Sequence, residues 1–444
     1  MAQLPCPASR SSVSLLPLLA PCIAQALIAL DYASIYVALP ALTHQLALST
    51  SEMQWVISVY GLSFAALLLL GGSLCDRLGA RLVFTAGISV FLLASMLGGM
   101  ATDVMPLLIA RSGQGLGAAM LQPAVMALIA QNFQGKSHNR ALAIWGATGA
   151  LGLVSGVMLG GILTAVSWRM IFFINVPPGL LALWLVRRHY LPIHTREITS
   201  TLGIGALMGC AAAGSCVWAL MRYSDTGVAD FLANRVACVM LLLFIFHERY
   251  AAEPLLSRTL RQIPGLQTGW LCSALYMASV GSQFYVMTLL WQQMFSLDTI
   301  RTGLLFTPLA LLIVVGNIIY SRLSARFTHA RLLMAGFACA GIGLKLLSVA
   351  LTDSFSLTVI TGLALSGLGH GLIYPAMFAV GLTNVPLAQQ GRASALMITS
   401  QYMSGAVTLA IISVLLGVAP AFNDWSSVFD LLSALAFIGM MVAI

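Results

Sequence analysis

Long apolar runs separated by short polar punctuation fill this chain of 444 residues. Charged and turn-forming residues break the runs at near-regular intervals. A helix that crosses a bilayer needs about 20 mostly apolar residues. On that measure the pattern predicts fourteen helices, over approximately 14–40, 53–74, 81–101, 104–131, 141–165, 170–187, 201–222, 231–248, 266–294, 303–323, 331–351, 355–384, 393–418 and 426–444. The first run begins behind Arg10 with the outline of a signal peptide. It continues through Asp31 to Leu42 without a clear cleavage site, so it is expected to remain as the first span.

Composition turns this pattern into a membrane protein. Hydrophobic residues make up 59% of the chain and charged residues 8%. Soluble domains carry about 25% charged residues. A chain this poor in charge cannot keep a surface wet, so lipid is its solvent and an all-α polytopic fold is expected. The placement of Lys and Arg sets the orientation. With the N-terminus in the cytoplasm, Arg169, Arg222, Arg235 and Arg301 fall outside, and Arg111 and Lys345 fall within spans. The other fifteen of twenty-one fall inside, a strong positive-inside bias that supports an even span count.

Several function classes are excluded. No basic patch with interleaved aromatics points to nucleic acid. The eight cysteines form no CxxC pair and lie mostly in apolar runs, as packing residues do. There is no phosphate-binding P-loop, no HExxH and no GxSxG, so neither an enzyme nor ATP as the energy source is expected.

The chain repeats itself. Shifted by 252 residues, 115–143 matches 367–395 at ten of twenty-nine positions, among them Gly115, Gly117, Pro123, Asn132 and Arg140 against Gly367, Gly369, Pro375, Asn384 and Arg392. Repeated halves are the mark of a transporter that rocks about a site at their interface. The expected organisation is a six-helix bundle over 1–190, two extra helices over 191–260 and a second six-helix bundle over 261–444.

Chemistry-bearing residues stand out because they interrupt apolar runs. Asp31 is the one acid well inside a predicted span, about 13 Å below Pro40 at roughly 1.5 Å per residue. Apolar surroundings disfavour its charge and a nearby Arg111 favours it; opposed influences of that kind suit a proton-exchanging carboxylate. The alternative is a static pair tying the first span to the fourth. Arg111 lies in Leu107–Gly117, beside Gly113, Gln114 and Gly115; it either faces the protein interior or snorkels outward. Between the second and third spans, Gly72, Asp76, Arg77, Gly79 and Arg81 combine tight-turn glycines with charges that can latch neighbouring helix ends. A weaker echo over Asn317–Arg326 lacks the acid, so only the first-half latch is expected to be complete.

In the fifth span, Gly149, Gly152, Gly156, Gly160 and Gly161 make a smooth stripe for close backbone approach. Ser167–Gly179 reads as a short turn with an aromatic anchor, a structural element. His370 could relay protons or simply pack as a hydrogen-bonded histidine. Gln283, Tyr285, Trp291, Gln292 and Gln293 line a cavity or a packed face, and Lys345 is expected to snorkel.

The Gly72–Arg81 loop resembles the signature of the major facilitator superfamily. The first span (Leu30-Asp31 to Pro40), the glycine stripe and the Ser167–Pro177 stretch resemble motifs of its fourteen-helix drug:proton antiporter family. That family usually has Thr and Asn where this chain has Ala33 and Tyr36, and proline where it has Val157, so a weaker kink is expected here. The resemblance implies a proton-gradient-driven antiporter without cofactor, with Asp31 and Arg111 as the coupling pair. It implies multidrug efflux of amphiphilic or cationic toxic compounds across the bacterial inner membrane. A narrow exporter of one metabolite or siderophore-like compound, or a degenerate non-transporting paralogue, stays open. Substrate, protons and lipid are the implied partners; any periplasmic adaptor is unspecified.

Overall fold

The structure is a computed structural model that describes residues 16–48, 50–190, 204–226, 230–251, 260, 262–297, 299–350, 356–386, 389–416 and 421–444. Among the described residues the regular structure is helical throughout. The first half comprises α1 (Leu16–Leu46), α2 (Thr50–Leu78), α3 (Ala80–Gly99), α4 (Val104–Asn132), α5 (Lys136–Val166), the short α6 (Met170–Phe173) and α7 (Val176–His189). Then follow α8 (Ile204–Thr226) and α9 (Phe231–Tyr250). The second half comprises α10 (Pro264–Tyr276), α11 (Ser282–Leu289), α12 (Thr299–Leu305), α13 (Thr307–Leu323), α14 (His329–Val349), α15 (Leu357–Gly381), α16 (Gln390–Leu416) and α17 (Phe422–Val442).

Helix occupies every one of the fourteen stretches read from the apolar pattern. Among the described residues, nine helices are long and apolar enough to cross a membrane, or ten if the two arms of α5 count as one span. Leu93, Ile109, Val166 and Leu357 are each more than 60% exposed on their outer faces. Helices apolar all round belong in lipid. The inner faces are held by glycine and alanine, because tight approach and dispersion replace the hydrophobic effect between helices in a bilayer.

The internal repeat has a structural counterpart. Gly115 of α4 lies against the backbone of α2 at Tyr60, and Gly367 of α15 lies against the backbone of α13 at Leu309. Gly117 meets the Gly87 carbonyl of α3, and Gly369 meets the Gly336 carbonyl of α14. The same two positions therefore seat the same two neighbours in each half. The halves meet along two seams, α2 with α16 and α5 with α13 and α15. Phe64 packs edge-on to Tyr402 across the first seam, and Trp145 stacks on Tyr374 across the second. Helix α8 packs on α2, α9 and α16.

Three local features depart from the sequence expectation. Helix α1 does not end near Pro40 but continues to Leu46. Helix α5 turns by 41° between Ser137–Leu153 and Met158–Val166, although no proline stands there. The break spans 154–157 and contains Gly156 and Ser155, whose Oγ donates to the Gly152 carbonyl, so the helix bends there without proline. The ninth predicted helix is interrupted by two π-helical stretches, Met277–Gly281 and Leu290–Met294. Such stretches recur at functional positions in helices.

Candidate functional site

Asp31 is the middle residue of the 31-residue helix α1. It is therefore about 22 Å from either helix end at roughly 1.5 Å per residue. It is 2% exposed, and every polar partner it needs is supplied by the protein. Arg111 of α4 donates from a terminal guanidinium nitrogen (Nη1) to Asp31 Oδ2 at 2.6 Å. Gln114, one helical turn further on, donates from Nε2 to Asp31 Oδ1 at 2.7 Å. Asn175 donates from Nδ2 to the same oxygen at 2.9 Å.

Arg111 does not snorkel. It is 1% exposed and its fork is occupied on several sides. Besides Asp31, it donates to Gln114 Oε1 at 2.9 Å and from Nε to the Val56 carbonyl of α2 at 3.2 Å. Its guanidinium carbon lies 4.5 Å from the centre of the Tyr60 ring. Ser95 of α3 accepts from Gln114 at 3.0 Å and from Asn175 at 3.4 Å. Helix α4 and the α6–α7 junction thus supply the donors to this carboxylate of α1, while α2 and α3 hold those donors in place. A buried ion pair survives only when its remaining donors and acceptors are satisfied, and here they are supplied from all sides.

Asn175 and Ser95 were not singled out from sequence as site residues. Asn175 belongs to the Ser167–Gly179 stretch, which reads as a mechanical turn. Pro177 and Pro178 in the first turn of α7 make Asn175 the residue before the helix. Asparagine there ordinarily caps the free N–H groups of the first turn. Its side chain makes no such cap and reaches Asp31 instead. That misuse of a capping residue is a signal the sequence carries only when the partner is known.

The glycine stripe of α5 supports the back of α1 at this level. A Cβ on Gly152 would meet the Ala26 carbonyl at 2.9 Å, and one on Gly156 would meet the Leu30 carbonyl at 2.7 Å. Gly160 lies against Ser34, whereas Gly161 has open space out to Val37 at 3.9 Å. The side chain of Val157 lies outside the described residues.

The latch candidates gather at one end of the molecule. Asp76 Oδ1 accepts from the Gly391 N–H at 2.8 Å, and Oδ2 accepts from the N–H and Nε of Arg392, both at 3.0 Å. A carboxylate of the first half thereby caps the N-terminus of α16 in the second, where the helix dipole favours negative charge. Gly72 lets α16 approach, since a Cβ there would meet the Ala395 methyl and the Gly391 carbonyl. Gly79 turns the chain with φ +86°, and Arg81 donates to the Arg187 carbonyl at 3.0 Å. Arg77 lies half-buried beside Asp76 on the last turn of α2. At the equivalent place in the other seam, Ser321 stands where an acid would be needed and Arg140 is exposed.

The cavity candidates separate. Gln283 is fully buried and accepts from Ser366; Trp291 is buried against Phe306 at 4.9 Å between ring centres. His370 is 8% exposed and shares a hydrogen bond with Tyr276 through Nε2 at 2.8 Å, between the rings of Phe284 and Tyr374. These three pack within the second half. Lys345, rather than standing free, pairs with Asp430 of α17 at 2.7 Å. The side chains of Gln292 and Gln293 lie outside the described residues. Tyr285 is 39% exposed and within electrostatic reach of Tyr32 and Tyr36 of α1, which are exposed to a similar degree. Tyr36 donates to Tyr32 at 3.2 Å, and the Tyr32 ring approaches Tyr60 at 6.3 Å. Partly exposed tyrosines from both halves are therefore close to one another, with Tyr32 next to Asp31 in the chain. Among the described residues no cluster of His, Cys, Asp and Glu could hold a metal ion.

The two repeated halves are joined by the Asp76 contact, and an ion pair is buried at mid-helix. The family model of the Major Facilitator Superfamily matches residues 22–409. The chain belongs to that superfamily. Superfamily members are transporters and not enzymes, and this chain is an integral membrane protein with several apolar spans. Among its relatives, the cephamycin export protein CmcT of Amycolatopsis lactamdurans is 34% identical over 92% of this chain and 86% of that protein. The puromycin resistance protein pur8 of Streptomyces alboniger is 32% identical over 88% and 79%. The multidrug resistance protein Stp of Mycobacterium tuberculosis is 29% identical over 90% and 75%. Its relatives in this superfamily are thus antibiotic and multidrug export and resistance transporters. The solved structure of the proton:xylose symporter XylE superposes with a TM-score of 0.70 at 14% identity, covering 98% of this chain and 95% of that one. The human organic anion transporter MFSD10 gives 0.69 at 14% identity, with 97% and 99% covered. At that identity the likeness speaks to the fold.

Proposed function

We propose that the chain exports amphiphilic or cationic toxic compounds in exchange for protons, by alternating access of its two halves. The observation that carries this reading is the sealed contact of Asp31 with Arg111 at mid-helix. Charge this deep in a span is costly, and here it is held by three donors, Arg111 and Gln114 of α4 and Asn175 of the α6–α7 junction. An exchanger must never open its carboxylate to both sides together. Complete enclosure of Asp31 is what an occluded state requires, and the partly exposed Tyr32, its neighbour in the chain, marks the route of approach. Protonation would neutralise Asp31, loosen Arg111 and bias the rocking equilibrium between the halves. Energy would come from the proton gradient, with no cofactor.

The same reading includes fourteen crossings, as two six-helix bundles over 1–190 and 261–444 with two helices over 191–260 between them. It places the N-terminus in the cytoplasm and the chain in a bacterial inner membrane. A second reading has one support of its own. CmcT, pur8 and the methylenomycin A resistance proteins of Bacillus subtilis and Streptomyces coelicolor are named for single compounds. A narrow exporter is therefore the alternative, and a panel of unrelated cations and neutral antibiotics distinguishes the two.

The central test is uphill efflux of a fluorescent cation from sealed vesicles under an imposed proton gradient. Asp31→Asn is expected to bind substrate and to equilibrate it, but not to concentrate it. Undiminished uphill transport by Asp31→Asn would remove this carboxylate from the mechanism.

A further inference from the structure

Asn175 holds an unused atom at the centre of the site. Its Nδ2 donates to Asp31 and Ser95, but its Oδ1 is buried and has no hydrogen-bond partner, and the residue is 0% exposed. A buried polar atom left unpaired destabilises the fold, so its retention asks for a reason. The neighbouring amide makes an instructive contrast. Gln114 uses both ends, Nε2 on Asp31 and Oε1 on Arg111. Inverting Gln114 would set its NH2 against the guanidinium, donor against donor. Asn175 can invert without giving up any partner of its oxygen.

Of the other groups facing Asp31, only the Tyr60 hydroxyl is an open acceptor, and it makes no hydrogen bond to Asp31. Arg111 from α4 is a donor only, and the Tyr60 hydroxyl of α2 is within electrostatic reach. Helix α3 offers Ser95, already accepting twice, α5 presents Gly152 and Gly156, and α1 itself contributes Ser34, which donates to the Asp31 carbonyl. While Asp31 is ionised, the Asn175 amide must show it N–H, because oxygen facing oxygen would repel. When a hydronium ion gives its proton to Asp31 Oδ1 and becomes water, a new O–H bond needs an acceptor.

We propose that Asn175 is the positioning residue that reads the protonation state of Asp31 by inverting its amide. It donates to the carboxylate and, turned by half a rotation, accepts from the neutral carboxyl. This rests on the proton-exchange reading above. The inversion reverses the hydrogen-bond polarity at the α6–α7 junction, which joins the site to α1 and α3 through α7.

The test uses the full chain in proteoliposomes. Infrared difference spectra between acidic and neutral pH should show a carboxylic C=O band appear together with a shift of a side-chain amide band. Both should vanish in Asp31→Asn. The shape-matched pair Asn175→Thr and Asn175→Val cancels steric damage, since threonine can donate or accept and valine can do neither. Asn175→Thr should keep the wild-type pH profile of exchange. Asn175→Val should move its midpoint by about one pH unit upward, because the ionised form loses the stronger, charge-assisted bond. Matching profiles for Thr, Val and wild type would overturn the inference, as would a wild-type spectrum with the carboxyl band and no amide shift. Uphill transport by Asp31→Asn would instead bring down the exchange reading itself, and this proposal with it. The wild-type spectrum decides even where both variants fail to fold.

Discussion

At the scale of single residues, the site is two charges in one apolar volume, and removing either leaves the other stranded. Arg111→Gln strands a buried carboxylate and should cost about 3–5 kcal/mol of stability, the usual loss when one member of a buried pair is removed. Asp31→Asn should cost less, because Arg111 keeps Gln114, the Val56 carbonyl and the Tyr60 face. The double variant leaves two neutral amides and should recover more than half of the single Arg111→Gln loss. Thermal unfolding in detergent, analysed as a double-mutant cycle, measures the coupling; simple additivity would show that the pair is not a unit. Asp31 and Arg111 were legible in sequence because ionised side chains inside apolar runs are expensive enough to need an explanation. Gln114 was half legible, by its place one turn from Arg111. Asn175 was not. It lies 144 residues from Asp31, and a polar residue before two prolines already has a sufficient local reason to be there.

At the scale of helices, glycine position decides how α5 seats α1. The Leu30 carbonyl is backbone and cannot move aside for a side chain at Gly156 without shifting the helix that bears Asp31. Gly156→Leu should therefore separate α1 from α5, lower stability by about 1–3 kcal/mol and abolish exchange. Gly161→Ala meets only Val37 at 3.9 Å and should leave exchange intact, with any stability change a gain of up to about 1 kcal/mol from the helix propensity of alanine. Transport and unfolding assays on the two variants check the contrast. The stripe itself was legible from its spacing of four. The bend was not, because proline is only one of several ways to interrupt a helix, and a glycine–serine cluster looks the same in a straight helix. A second element-scale prediction concerns α9. Asp230 caps it by accepting from the N–H groups of Leu232 and Ala233 and pairs with Arg222 at 3.0 Å. The Ala233 bond, followed by that with Arg222, holds the Asp230 carboxyl below its ordinary range. A depressed carboxylate stabilises the folded state above its unfolded pKa and loses that contribution as pH falls through the folded value. Acidification below the ordinary carboxylate range should thus fray the start of α9, seen as faster amide exchange at Leu232 and Ala233, and Asp230→Ala should do so at neutral pH.

At the scale of the whole molecule, the two seams close by different physics. The α2–α16 seam is clasped by Asp76 on the start of α16, with three hydrogen bonds to one carboxylate. Among the described residues the α5–α13 seam has no such clasp; it closes by packing, Trp145 on Tyr374 and Gly146 against Asn317. This asymmetry follows from the repeat, which kept Arg140 and Arg392 in both halves but put Ser321 in the place of Asp76. Asp76→Asn removes the charge while keeping the shape. Hydrogen bonds to a charged group are worth about 1.5–3 kcal/mol, and each 1.4 kcal/mol is roughly tenfold in a conformational ratio. Spin labels at Leu78→Cys and Asn384→Cys span the first seam, and labels at Arg140→Cys and Arg326→Cys span the second; all four positions are exposed. If the halves rock as rigid bodies, Asp76→Asn should shift both distance distributions to longer values by the same population, although it touches only one seam. Lengthening confined to the Leu78–Asn384 pair would mean that the clasp merely holds down a helix end. The two bundles would then have to be parted by forces elsewhere, and on the proposed proton-exchange reading the pairing of Asp31 with Arg111 would be the remaining place for a gradient to act.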